Sequence, residues 1–123
     1  MRFMMMIKLE EEGAGPADGP SEQMMTEMGK LMDEMTKAGV LLDTAGLQPT
    51  AEGTQIQWDH GKLNVVDGPF TEAKEVIGGY AIIQAKSKEE AVEWAKRFVR
   101  LHGDDWKLTS EVRQIEEPPE DWG

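Results

Sequence analysis

A chain of 123 residues and 13.8 kDa has room for one domain with a real core, but not for two. Its net charge of −11 sets it against nucleic-acid backbones and acidic lipid surfaces, so neither is an expected partner. The absence of cysteine excludes disulfides and thiolate zinc sites.

Phe3 to Leu9 is a short apolar run suited to a buried strand. Alternation puts Phe3, Met5, Ile7 and Leu9 on one face and Met4, Met6, Lys8 and Glu10 on the other. The apolar run is too short for a signal-peptide core, and carboxylates follow at once. No segment approaches the length of a membrane span, and a cytoplasmic protein is expected. The stretch EEEGAGPADGP reads as an exposed, mobile loop.

A helix follows with Ser21 as N-cap. Its apolar stripe is Met24, Met28, Leu31, Met32, Met35 and Ala38, which is read as packed core, and Gly39 stops it. Leu41 to Leu47 gives the next strand, ended by Pro49. Thr54 to Trp58 and Lys62 to Val66 flank Asp59-His60-Gly61 as a hairpin. Gly79 to Ala85 is another strand. Ser87 and Glu90 then form a capping box ahead of a second helix, with Ala91, Ala95 and Phe98 inside and Gly103 at its end. Trp106 to Ile115 closes a domain spanning residues 1–115, and residues 116–123 form an acidic tail.

This order predicts an α+β sandwich, with both helices on one face of an antiparallel sheet. The other face then leaves Met4, Met6 and Ile82 towards water, a surface that monomers avoid. A homodimer with sheets packed face to face, enclosing a barrel-like interior, is the expected remedy.

The connection DGPFTEAKE, Asp67 to Glu75, concentrates Asp-Gly, Gly-Pro, an aromatic and charges between two strands. Read from its residues, it is either a rigid crossover with solvated charges or a loop presenting Asp67, Glu72 or Glu75 to a pocket, with Phe70 plugging the core edge. NVVDGPFTEAKEVIGGYAII, with GVLLDTAGLQPT before it and EAVEWAKRF and EVRQI after it, resembles the YCII-related family, in the branch named for its DGPF motif. The resemblance implies a ferredoxin-like fold that dimerises through its sheets as a dimeric α+β barrel. It also implies small bacterial proteins, mostly uncharacterised and in some cases encoded beside alternative sigma factors. The wider family pairs a first-helix histidine with an aspartate. That position falls near Met28 here, so the pair does not carry over. His60 and His102 are read as solvent or capping residues.

On the last strand Thr109, Glu111 and Arg113 share a face. With Leu108, Ser110 and Val112 towards the helices, Lys8, Asp67, Tyr80, Glu111 and Arg113 are expected to edge the barrel interior. There Asp67 would be general base, Tyr80 proton donor and Arg113 the anchor for a small acidic or phenolic molecule. The remaining lining falls to Lys8, Phe70, Glu72, Glu75 and Glu111. Pairing of Arg113 with Asp67 or Glu111 across the dimer, for purely structural ends, is the alternative. Motifs for mononucleotides, dinucleotides, zinc proteases and serine hydrolases are absent, and neither cofactor nor metal is expected. Function thus lies between a small-molecule site, catalytic or sensory, and an interaction protein that meets a protein partner.

Overall fold

The computed structural model describes residues 1–70 and 73–117. Glu72 and residues 118–123 of the acidic tail lie outside the described residues. In chain order the elements are β1 (Arg2–Leu9), α1 (Glu22–Lys37), β2 (Leu41–Gly46), a 3₁₀ turn (Thr50–Glu52), β3 (Thr54–Asp59), β4 (Lys62–Asp67), β5 (Val76–Gln84), α2 (Lys88–Arg100) and β6 (Thr109–Gln114). Strands β2-β5-β1-β6 form one four-stranded antiparallel sheet. With the β3–β4 hairpin set aside, that order is ferredoxin-like. The fold is α+β, and none of its described helices is long and apolar enough to cross a membrane.

The helix ends follow their caps. Ser21 Oγ accepts the Met24 N–H at 3.1 Å, and Gly39 takes a positive φ of 73° just past the end of α1. Ser87 Oγ accepts the Glu90 N–H at 3.1 Å. The return arm of this cap differs from a standard capping box, because the Glu90 carboxylate accepts the Lys86 N–H at 2.9 Å, one residue earlier than expected. Ser87→Ala is expected to cost about 1 kcal/mol of folding free energy, read from urea denaturation, since it orphans the Glu90 N–H.

Both helices lie on one face of the sheet. Phe3 and Met5 of β1, Ala81 and Ile83 of β5, Leu31 and Met35 of α1, and Ala91 and Ala95 of α2 form one buried cluster. Bidentate bonds of 2.5 and 2.8 Å from Arg97 to Glu34 tie the helices together across their outer surface. These bonds hold the Glu34 carboxyl below its usual range and push the Arg97 guanidinium up.

Three expectations need correction. The last strand starts at Thr109 rather than Trp106. The Lys107 N–H donates to Ala14 O at 2.7 Å and the Trp106 ring lies against Gly15, so this segment is diverted to clamp the loop after β1. For the same reason that loop, though exposed over most of its length as expected, is anchored at one point: Ala14 is buried and the Trp106 ring lies against Gly15. Finally, the helix-free face is not bare. Met6 is only 7% exposed, and Met4 and Ile82 are half-buried. Tyr80 and Glu111 flank Met6 in register on the neighbouring strands, and long polar side chains cover what alternation alone assigns to water.

The large uncovered apolar surface lies elsewhere. The β3–β4 hairpin turns at His60-Gly61, both at positive φ (48° and 97°), as a two-residue loop of the primed type requires. It forms a separate two-stranded sheet.

Candidate functional site: a pocket between helices and sheet

The core is solid at one end and open at the other, and the strand sequences show why. On β5 the row facing the helices shrinks from Ile83 to Ala81 to Gly79, in register with Phe3, Met5 and Ile7 of β1. At the wide end Phe3, Met35 and Ile83 are fully buried. At the narrow end Ile7, Leu9, Met28, Met32 and Phe98 remain half-buried around a cavity of about 340 Å³. Enlarging Gly79 would press a Cβ to 3.0 Å from Ala45 O on β2, tighter than an ordinary contact. The volume falls at the low end of small-molecule pockets, about 300–1,000 Å³.

The lining is apolar but for Thr44, His102 and the backbone at Tyr80, whose side chain lies on the helix-free face, and it includes no charged residue among the described residues. His102 follows α2, where its ring sits edge-on between Phe98 (centroids 5.1 Å apart) and Trp106 (5.6 Å). Its Nδ1 lies 3.0 Å from Phe98 O. A carbonyl oxygen only accepts, so Nδ1 carries a proton, and in the neutral ring Nε2 is the acceptor. Nε2 has no protein partner among the described residues. The capping role read from the sequence is therefore observed, and a wall position in the pocket is added to it. Met28, where the wider family's histidine would fall, lines the same cavity from α1.

The residues expected to share a barrel-lining cluster separate into two groups. On the helix-free face Glu111 bridges Lys8 (3.3 Å) and Arg113 (2.8 Å). Arg113 is 72% exposed and is paired with Glu111 of its own strand, within one chain and not across a dimer. The Tyr80 hydroxyl donates to Asp43 Oδ2 at 3.3 Å, a partner that sequence reasoning missed. The signal was available, since Asp43 lies on a strand next to β5, but only the sheet order brings the two together.

Asp67 belongs to a different place. Its Oδ1 accepts the Thr54 hydroxyl at 3.0 Å at the hairpin base, and no hydrogen bond or ion pair among the described residues joins it to Tyr80 or Arg113. Around it the DGPF turn acts as a fastening. Gly68 N–H donates to Gly53 O at 2.9 Å, and the Gly68–Pro69 peptide is cis. The Phe70 N–H donates to Thr50 Oγ1 at 3.4 Å, and its ring packs near Gly53. Glu11 accepts the Thr50 N–H at 2.7 Å and its hydroxyl as well, which holds the Glu11 carboxyl below its usual range. Thus the loop after β1, the 3₁₀ turn and the hairpin base are tied at one point. Phe70 lines a surface cleft with Glu10, Glu11, Glu12 and Lys74, and Glu75 lines a neighbouring one with Lys107. No group of three potential metal ligands occurs among the described residues.

Sequence comparison adds the family. The profile of the YCII-related domain matches residues 1–101, and the chain belongs to that family. A curated relative, an uncharacterised protein of Rhizobium meliloti (strain 1021), is 32% identical over 75 residues. That match covers 61% of this chain and 60% of the relative, so the chain aligns with less than two thirds of the relative's length. The relative is itself uncharacterised, so it lends no chemistry to this chain.

Proposed function

We propose that the protein binds a small neutral molecule with an aromatic or other flat apolar body in the pocket between α1, α2 and the sheet. The observation that carries this reading is the tapered β5 row, which leaves a cavity walled by Met28, Met32 and Phe98 with His102 at its edge. A carboxylate ligand is disfavoured because no cation among the described residues lines the cavity to meet it. A phenol or an indole suits it: the ring replaces half-buried apolar contacts and the O–H or N–H finds Nε2 of His102. If the bound molecule is also turned over, proton transfer at that nitrogen is the chemistry available, in place of the Asp67–Tyr80–Arg113 arrangement.

A thermal-shift titration with simple phenols and indoles tests the reading. Wild-type protein should gain a few degrees at ligand concentrations well above Kd. Met28→Trp should abolish the gain by filling the cavity, and its far-ultraviolet circular dichroism should stay that of the wild type. His102→Phe keeps the ring stacking and should weaken binding about threefold to tenfold. No shift with any compound, or an equal shift in Met28→Trp, overturns the proposal.

A further inference from the structure

A groove separate from the interlayer pocket opens between α2 and the edge strand β6. Strands β5 and β6 flank β1 and both run antiparallel to it, so α2, the crossover between them, returns along β6 in the opposite direction. The start of β6 therefore lies towards the end of α2. The groove between them measures about 430 Å³, within the range of small-molecule pockets. Its lining is divided by that arrangement. Val92 and Ala95 of α2 and Val112 of β6 belong to one end, and Lys96, Arg100 and Ser110 to the other. The Ser110 Oγ is buried and has no hydrogen-bond partner among the described residues. Of the four arginines, Arg2, Arg97 and Arg113 each hold a carboxylate, and Arg100 alone holds none among the described residues. Glu27 and Glu34, which share a neighbouring cleft with Arg100, are taken by Lys30 and Arg97. Lys96 meets Glu93 at 3.0 Å, but both side chains are exposed and such a pair costs little to part.

The geometry points to a binding site for a small aliphatic carboxylate in this groove, its head towards Arg100 and its tail along Val99, Ala95 and Val92. A guanidinium without a carboxylate of its own offers two parallel N–H donors to the head, and Lys96 adds a second positive charge one turn earlier. The Ser110 hydroxyl, turned about its Cα–Cβ bond into the groove that it lines, donates a further bond to the head. It thereby gains the partner that a buried hydroxyl otherwise lacks. From Val99 back to Val92 the valine strip covers two helical turns, about 10 Å, which suits an extended tail of about eight carbons. Inorganic phosphate would gain from the cations but has nothing to lay on the valines. An alcohol of the same length would gain from the valines but leaves Arg100 without its counter-charge. In a chain of net charge −11 this local reversal of sign is what selects an anion, and it divides the two sites by charge. The interlayer pocket takes a flat neutral molecule, and the α2–β6 groove an aliphatic anion.

Titration of the full isotope-labelled chain with octanoate, followed by its backbone amide resonances, tests the inference, with acetate and octanol as probes of head and tail alone. Octanoate should move the amides of Val92, Val99, Ser110 and Val112 saturably, and acetate and octanol should each bind at least about tenfold more weakly. Arg100→Gln, a change at an exposed side chain, should keep the fold and weaken octanoate about tenfold to a hundredfold. Ser110→Ala removes a buried hydroxyl that has no partner, so it should raise the melting temperature of the ligand-free chain while weakening octanoate about threefold to tenfold. The absence of saturable shifts at these residues overturns the inference, as does equal binding of octanoate and octanol or an unchanged affinity in Arg100→Gln. Octanoate shifts confined to Met28 and Met32 overturn it too, because they place the molecule in the interlayer pocket.

Discussion

Gly68→Ala should lower the folding free energy by about 3 kcal/mol or more, and the melting temperature by about 10 °C or more. A Cβ at this position would fall on the carbonyl oxygen of Thr50 and 2.6 Å from its carbonyl carbon, with Gly53 O at 3.3 Å. Those atoms are backbone, so no rotamer change relieves the overlap. The 3₁₀ turn would have to part from the DGPF turn, breaking the bond from Gly68 N–H to Gly53 O and the Phe70–Thr50 contact. Gly29→Ala is the matched control. Nothing lies within 4 Å of its Cβ position in α1, and removing a helical glycine should stabilise by about 0.5–1 kcal/mol. Urea denaturation of both variants measures this directly. A Gly68→Ala protein within about 0.5 kcal/mol of wild type contradicts the description of the DGPF turn as a close-packed fastening.

Phe3→Ala should be comparably severe, costing about 3–5 kcal/mol. Phe3 is fully buried between β5 and the helices, with Ile83 in register beside it and Met35 in the same cluster. Truncation leaves a cavity that neighbours on three elements cannot close without shifting the sheet. Set against a typical total of 5–15 kcal/mol, that loss leaves a marginal protein. Met4→Ala on the neighbouring residue should cost clearly less, because Met4 is half-buried on the helix-free face. The midpoint of urea unfolding should fall for both, with the slope unchanged. Equal losses for the two would contradict the assignment of faces in β1.

The fold was legible wherever local rules decide it. Alternation in Phe3 to Leu9, the caps at Ser21 and Ser87, the stop at Gly39 and the turn at His60-Gly61 are each written within a few residues. Their sum dictates the layers. What escaped depends on contacts between distant segments. Trp106 reads as the start of a strand until Gly15, far away in sequence, gives its ring a surface to cover. Met6 reads as exposed until Tyr80 and Glu111 take their places on the adjoining strands. Of the candidate site, Lys8, Glu111 and Arg113 do share a face as their alternation indicates, yet they neutralise one another there. Asp67 is drawn to Thr54 by the hairpin register, which no single-strand pattern reveals. The Ile83-Ala81-Gly79 taper was visible in the sequence, but its meaning appears only once β1 fixes which side of β5 faces the helices.

Protein-observed NMR of methyl-labelled wild type, titrated with a simple phenol, tests most directly whether the interlayer pocket is a binding site. Saturable shifts are expected on Ile7, Leu9, Met28 and Met32, accompanied by His102 ring resonances and lost in Met28→Trp. Shifts confined to Met4 and Ile82 on the helix-free face, or to Ile56 and Leu63 on the hairpin, would contradict it, as would a titration that leaves every methyl in place.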